Sequence, residues 1–139
     1  MISPNTCCWT SWLARLITFT VVVSSYFLGN SGTYELNFVH VPGPFLVSPG
    51  DEGGTLTNGI MQAGTLDLGD LDIWTFNASA GDNVQLRMGA DALVPRIDLY
   101  APNGNLVGFA YTVSTVNRDA LLSAHLTNTG TFTVVASSY

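Results

Sequence analysis

The chain contains one short motif twice. Residues 30–36 read NSGTYEL, and residues 128–134, ninety-eight positions later, read NTGTFTV. Each copy is typical of a tight turn that leads into a strand beginning with Thr and an aromatic residue. An interval of about one β-sandwich domain indicates two equivalent places in a tandem array. We therefore expect residues 30–41 to close a preceding module and residues 63–139 to form a nearly complete second one.

Composition favours an all-β domain and excludes nucleic acid as a partner. With 139 residues the chain suits one domain with one core. It has 4 basic against 10 acidic residues and a net charge of −6, so it offers no basic surface to a phosphate backbone. Only 10 % of the residues are charged and 14 are glycine, which is typical of a β protein with many turns. The two cysteines, Cys7 and Cys8, are adjacent and lie outside the repeat, so we expect no structural role for them.

The first 29 residues fit two interpretations. The apolar stretch 16–28 follows Arg15, as the apolar core of a secretory signal or anchor follows a basic flank. The same stretch is rich in Thr, Val and Phe and, folded back by the turn at 29–32, fits a hairpin with residues 33–41. A membrane-spanning helix fits least well, because the apolar run is about thirteen residues and a bilayer needs roughly twenty.

Strand patterns begin after a Pro-rich and Gly-rich segment. Residues 42–62 show no sustained periodicity, which predicts a linker. From residue 63 onward, apolar and polar residues alternate with a period of two, as in half-buried strands. Turn residues separate the runs at 80–83, 101–104 and 128–130. This spacing predicts an all-β fold, an antiparallel β-sandwich of about seven to eight short strands.

Four motifs of this module resemble, in order and spacing, the bacterial pre-peptidase C-terminal domain. They are GDLDIWTF at 69–76, AGDNVQL at 80–86, IDLYAPNG at 97–104 and GTFTV at 130–134, and residues 33–41 match as a fragment of an earlier copy. The resemblance implies a jelly-roll-like β-sandwich in a secreted or surface protein, acting beside a peptidase as a non-catalytic accessory. It also implies that calcium is a ligand of some relatives and that collagen-binding relatives use an exposed aromatic face.

No catalytic constellation is indicated, and we predict that the chain is not an enzyme. His40 and His125 are the only histidines that could act as a base, and neither accompanies a Gly-x-Ser-x-Gly nucleophile motif. Asp70 and Asp72 lie two positions apart on one strand face, and no opposing acid stands at the separation that glycoside hydrolysis requires.

Calcium is the metal ion that the acidic residues favour. A hard cation takes several oxygen ligands, and these acids fall in turns whose backbone carbonyls are also free. Asp70 and Asp72 are the first candidates, with Asp51 and Glu52 as ligands from the linker. The competing interpretation is that Asp70 caps a turn, Asp72 is a solvated strand-end charge, and the linker acids serve solubility.

The aromatic residues divide into a core set and a surface set. Strand alternation places Trp74, Phe76 and Phe132 with the core, where bulky rings are ordinary filling. Tyr100, Tyr111 and Phe109 then remain as candidates for contact with a ligand.

Together these patterns predict a non-catalytic, extracellular or cell-surface module of a larger secreted protein, acting as a spacer, adhesion or binding element. Its partners would be neighbouring repeats and an extracellular protein or glycan polymer. The alternative is an accessory domain that holds substrate for a secreted peptidase or glycoside hydrolase, stabilised by calcium. Because residues 33–41 lack the rest of their own module, we expect this strand to dock on the complete module or on a second chain.

Overall fold

The computed structural model describes residues 18–27, 29–114 and 116–139, in two compact units that divide between Thr33 and Tyr34. All seven strands of the described chain lie in the second unit. They are β1 (Gly53–Thr55), β2 (Asp72–Ala78), β3 (Asn83–Gly89), β4 (Pro95–Tyr100), β5 (Leu106–Tyr111), β6 (Asp119–His125) and β7 (Gly130–Ser138). The described residues form no helix, and so none that could cross a membrane.

The strands form two sheets. The larger has the order β1-β2-β7-β4-β5, and β3 pairs with β6 in the smaller. All pairings are antiparallel except that of β1 with β2. The predicted all-β module with about seven strands in two sheets is therefore confirmed, whereas the jelly-roll connectivity stays a prediction.

One hydrophobic core joins the two sheets. Phe132 of β7 and Leu99 of β4 are fully buried, and the Phe132 ring stacks on Phe76 with centroids 5.5 Å apart. Leu122 of β6 belongs to the same buried cluster. Trp74 and Phe76 pack against this cluster as half-buried residues, so the predicted core set of aromatic residues is confirmed.

The predicted linker at 42–62 contains a strand that its composition concealed. Gly53 opens β1 with a φ of 150°, and a Cβ there would meet the carbonyl oxygen of Ile73 at 2.7 Å. Only glycine therefore allows the backbone of β1 to approach β2 so closely. The glycines that favoured a linker are in part the means by which this segment joins the sheet.

No strand is assigned to the described residues between 18 and 41. The hairpin expected there is thus not formed within the described chain, and a lone two-stranded hairpin has no packed face to stabilise it. Cys7, Cys8 and Arg15 lie outside the described residues. That residues 30–41 close a preceding module stays a prediction.

Residues 35–41 belong to the second unit and contact other residues of it. The Asn37 Nδ2 donates hydrogen bonds to the carbonyl oxygen of Gly69 at 2.8 Å and to Asp70 Oδ1 at 3.3 Å. Val39 lines a cavity with Leu71 and Val135, on the face of the larger sheet turned away from the core. Asn37 and Val39 thus contact the rest of the second unit. That residues 33–41 dock as a strand, on this module or on a second chain, stays a prediction.

Candidate metal centre

Three acidic residues meet where the two parallel strands begin. Asp51 and Glu52 directly precede β1, and Asp72 is the first residue of β2. Because the pairing sets Gly53 opposite Ile73, the residues just before these positions fall side by side at one edge of the sheet. One carboxylate oxygen from each of the three acids lies within 4.8 Å of the others.

The environment of Asp72 differs most from what the sequence predicts. The residue is only 5 % exposed, and its Oδ1 is buried without a hydrogen-bond partner among the described residues. Burial, followed by the charges of Asp70, Glu52 and Asp51, raises the pKa of Asp72 to about 6. The interpretation of Asp72 as a solvated strand-end charge is therefore wrong.

The chain packs closely around this carboxylate. A Cβ added to Gly64 would lie 2.9 Å from Asp72 Oδ2 and 3.2 Å from the side chain of Glu52. Gly64 thus lets the backbone close one side of the cluster, and a larger residue there would displace an acid.

Asp70 has a different role from its three neighbours. Its Oδ1 accepts a hydrogen bond from the backbone N–H of Leu71 at 2.7 Å and the longer one from Asn37. Asp70 is thus bonded to the next backbone N–H and to residue 37, and it is outside the group whose oxygens converge. The structure therefore brings together three of the four predicted ligands and leaves Asp70 as a nearby negative charge.

No positive side chain offsets this cluster within the described residues. The ion pairs found there are Arg87 with Asp119 and Arg96 with Asp98. Three carboxylates with a buried, unpartnered oxygen are a costly arrangement unless a cation or a proton neutralises them. Carboxylate oxygens are hard ligands, and these come from both a loop and a strand, so their arrangement is irregular. Ca²⁺ suits such a site because it accepts irregular oxygen coordination.

A second group of exposed side chains lies near the edge strand β5. Phe109 and Tyr111 stack with centroids 6.2 Å apart, and Tyr111 stacks on Tyr139 at 4.6 Å. The Arg96 guanidinium lies 5.3 Å from the Phe109 ring centroid and is held by two hydrogen bonds to Asp98. We call Phe109, Tyr111, Tyr139 and Arg96 the aromatic strip.

The aromatic strip differs from the predicted ligand-binding set in three residues. Tyr100 is half-buried and lines the cavity beside Val39 and Leu71, and it takes no part in the ring stacks. Tyr139 was missed because it follows the last strand, and its backbone N–H bonds to the Val94 carbonyl oxygen at 2.9 Å. Arg96 lies on the same strand face as Asp98, two positions away, and this spacing could have indicated the ion pair that holds it in the strip.

The two histidines, the candidate bases of the sequence, occupy separate places in the fold. His125 Nδ1 lies 3.2 Å from Asn83 Oδ1, and His40 lines the cavity beside Val39. Neither ring is hydrogen-bonded to a hydroxyl within the described part of the chain.

No family model matches the chain, and no curated protein or solved structure shows a significant match.

Proposed function

We propose that this chain is a non-catalytic β-sandwich module of an extracellular protein, in which Asp51, Glu52 and Asp72 bind Ca²⁺. The observation that supports this most directly is Asp72 itself: its Oδ1 is buried without a partner among the described residues, and its carboxylate converges with those of Asp51 and Glu52. A ligand there gains from an oxygen that is already desolvated.

The proposed role of the site is mechanical. Asp51 and Glu52 end the loop that precedes β1, whereas Asp72 belongs to the sandwich. A cation shared by these side chains would tie the loop to the sheet and so fix the direction from which the chain enters the module. Such a joint suits a spacer or adhesion element, whose function depends on holding its loops at a set orientation.

Thermal unfolding of the full chain in Ca²⁺ and in excess chelator tests the proposal. At a Ca²⁺ concentration a hundredfold above Kd, binding to the folded state adds about 2.7 kcal/mol, or roughly 10 °C in Tm. We expect Asp72→Asn to abolish the shift. Asp91→Asn is the matched control, because Asp91 is an exposed acid outside the cluster. A shift that persists in Asp72→Asn, or is absent from the native chain, would contradict the proposal.

The aromatic strip supports a second candidate function, the binding of an extracellular polymer. Phe109, Tyr111 and Tyr139 are exposed yet ordered by stacking, and such rings lose little conformational freedom when they bind. The Arg96 guanidinium, oriented by Asp98, lies over the Phe109 and Tyr139 rings and adds a planar cation to the same surface. These features suit either a glycan or a fibrous protein, as the accessory-domain alternative requires.

Co-sedimentation with an insoluble glycan and with an insoluble fibrous protein tests this second function. Tyr111 is the central ring, so Tyr111→Ala is expected to weaken binding about tenfold, the effect of losing one anchor residue. Leu121→Ala removes an exposed apolar side chain from the smaller sheet and should leave binding unchanged. Equal loss in both variants, or no binding by the native chain, would count against the function.

A further inference from the structure

Equivalent residues of the two motif copies differ in burial: they are buried in the second copy and exposed in the first. In β7, Phe132 and Val134 face the core and are almost inaccessible. Their counterparts ninety-eight positions earlier, Tyr34 and Leu36, are 69 % and 62 % exposed. Phe38, which corresponds to Ala136, is 82 % exposed. We call Tyr34, Leu36 and Phe38 the apolar ladder.

The segment that carries the apolar ladder touches the module at few points, one of them Leu36, which lines a cavity with Leu66 and Leu71. Asn37 is hydrogen-bonded to Gly69 and Asp70, and Val39 lines the cavity on the sheet. Single exposed apolar residues are common on protein surfaces, but three large ones at a period of two are the pattern of a half-buried strand. The segment thus carries the core-facing pattern of a strand without a core of its own.

A glycine outside the ladder points the same way. Gly130, at the start of β7, has a φ of 141°, and a Cβ there would lie 3.0 Å from Pro102. Its counterpart Gly32 has no positive φ and no described atom within 4 Å of where a Cβ would be. The local structure around residue 32 therefore does not require glycine, whereas the position that β7 occupies does.

The place of β7 in the sheet defines what the ladder would fit. β7 lies between β2 and β4, pairing with β2 over residues 130–136 and with β4 over residues 133–138. A sandwich without this strand has two open strand edges and an uncovered core, which accept only an extended segment with large apolar residues on alternate positions.

We propose that residues 30–41 are the closing strand of a second β-sandwich of this kind that lacks its own, with Tyr34, Leu36 and Phe38 in the places of Phe132, Val134 and Ala136. The partner is thus defined as a sandwich whose β2 and β4 equivalents are unpaired at the centre of the sheet. This interaction does not involve the acidic cluster, so it stands or falls separately from the proposed cation site.

Strand exchange in the full chain tests this inference. A protease site is inserted after Thr127, in the exposed turn before β7, and the folded chain is nicked there. Denaturant is then raised until a fluorescent peptide of residues 128–139 replaces the native strand. Under that condition we expect a peptide of residues 30–41 to be incorporated, less readily than the cognate one because Glu35 takes the buried place of Thr133.

Two peptide variants separate strand insertion from loose adhesion. Leu36→Asp puts a charge at the buried place of Val134 and should lower incorporation about tenfold or more. Ser31→Asp adds the same charge at the exposed place of Thr129 and should have little effect. Exchange by the cognate peptide without exchange by residues 30–41, or equal incorporation of both variants, would overturn the inference.

If the nicked chain dissociates, a graft within the full chain tests the same inference. Residues 131–138 of the full chain are replaced by the sequence of residues 33–40, and the product should retain cooperative unfolding, while the same graft with Leu36→Asp should not. Loss of cooperative unfolding in both grafts would overturn the inference. So would dimerisation of the intact native chain that Leu36→Asp abolishes, because the ladder would then serve a second intact copy.

Discussion

Asp72→Asn is expected to stabilise the metal-free protein at pH 7 by up to about 3 kcal/mol. The pKa of Asp72 is about 6 in the folded chain and 3.8 for an ordinary aspartate, and each pKa unit corresponds to about 1.4 kcal/mol. Between these values the folded state holds a proton that the unfolded state has released, so stability falls as pH rises. The penalty is complete above pH 6, and an uncharged side chain avoids it.

Urea unfolding of the native and Asp72→Asn chains in chelator, at pH 4 and at pH 7, measures this effect. The difference between the two chains should be small at pH 4 and large at pH 7, since Asp72 is mostly protonated in the folded state at the lower value. Asp91→Asn, outside the cluster, should show no such change. A difference that is equal at both pH values would mean that the carboxylate is not desolvated as the structure shows.

The advantage of Asp72→Asn should largely disappear when Ca²⁺ is present at a hundredfold above Kd, because binding then adds about 2.7 kcal/mol to the native chain alone. The cation favours the charged carboxylate that burial disfavours, whereas Asn gains nothing from it. A stability difference that closes when Ca²⁺ is added is what distinguishes a ligand from a structural acid in this cluster.

Phe132→Ala is expected to lower the free energy of unfolding by about 3–5 kcal/mol, the usual cost of removing a fully buried ring. Phe132 is completely buried on the central strand of the larger sheet, and its ring stacks on the cross-strand neighbour Phe76. The loss is a large part of the roughly 5–15 kcal/mol that stabilises a typical domain. The expected loss has two causes, the apolar burial that the ring provides and the cavity that its removal leaves between the two sheets.

Denaturant unfolding compares this variant with Phe109→Ala, which removes the same ring from the half-exposed edge strand β5. The edge variant should lose no more than about 1 kcal/mol. Similar losses in the two variants would contradict the central position of β7.

The sequence predicts local features well because strand alternation and turn chemistry act over a few residues. The period of two identified the all-β fold and placed Trp74, Phe76 and Phe132 with the core, as the structure confirms. Residue chemistry also predicted Asp70, Asp72, Asp51 and Glu52 as oxygen ligands, and the structure brings three of these four together.

Strand pairing joins residues far apart in the chain, and no local pattern specifies it. The parallel pairing of β1 with β2 brings residues 51–52 beside Asp72, and that pairing depends on a Gly-rich segment whose composition predicts a linker. The same kind of long-range packing buries Asp72, bonds Asp70 to Asn37, and stacks Tyr139 on Tyr111. The sequence thus determined which side chains face the core and which functional groups are present. The tertiary structure decided which of these groups lie together and which are buried away from solvent.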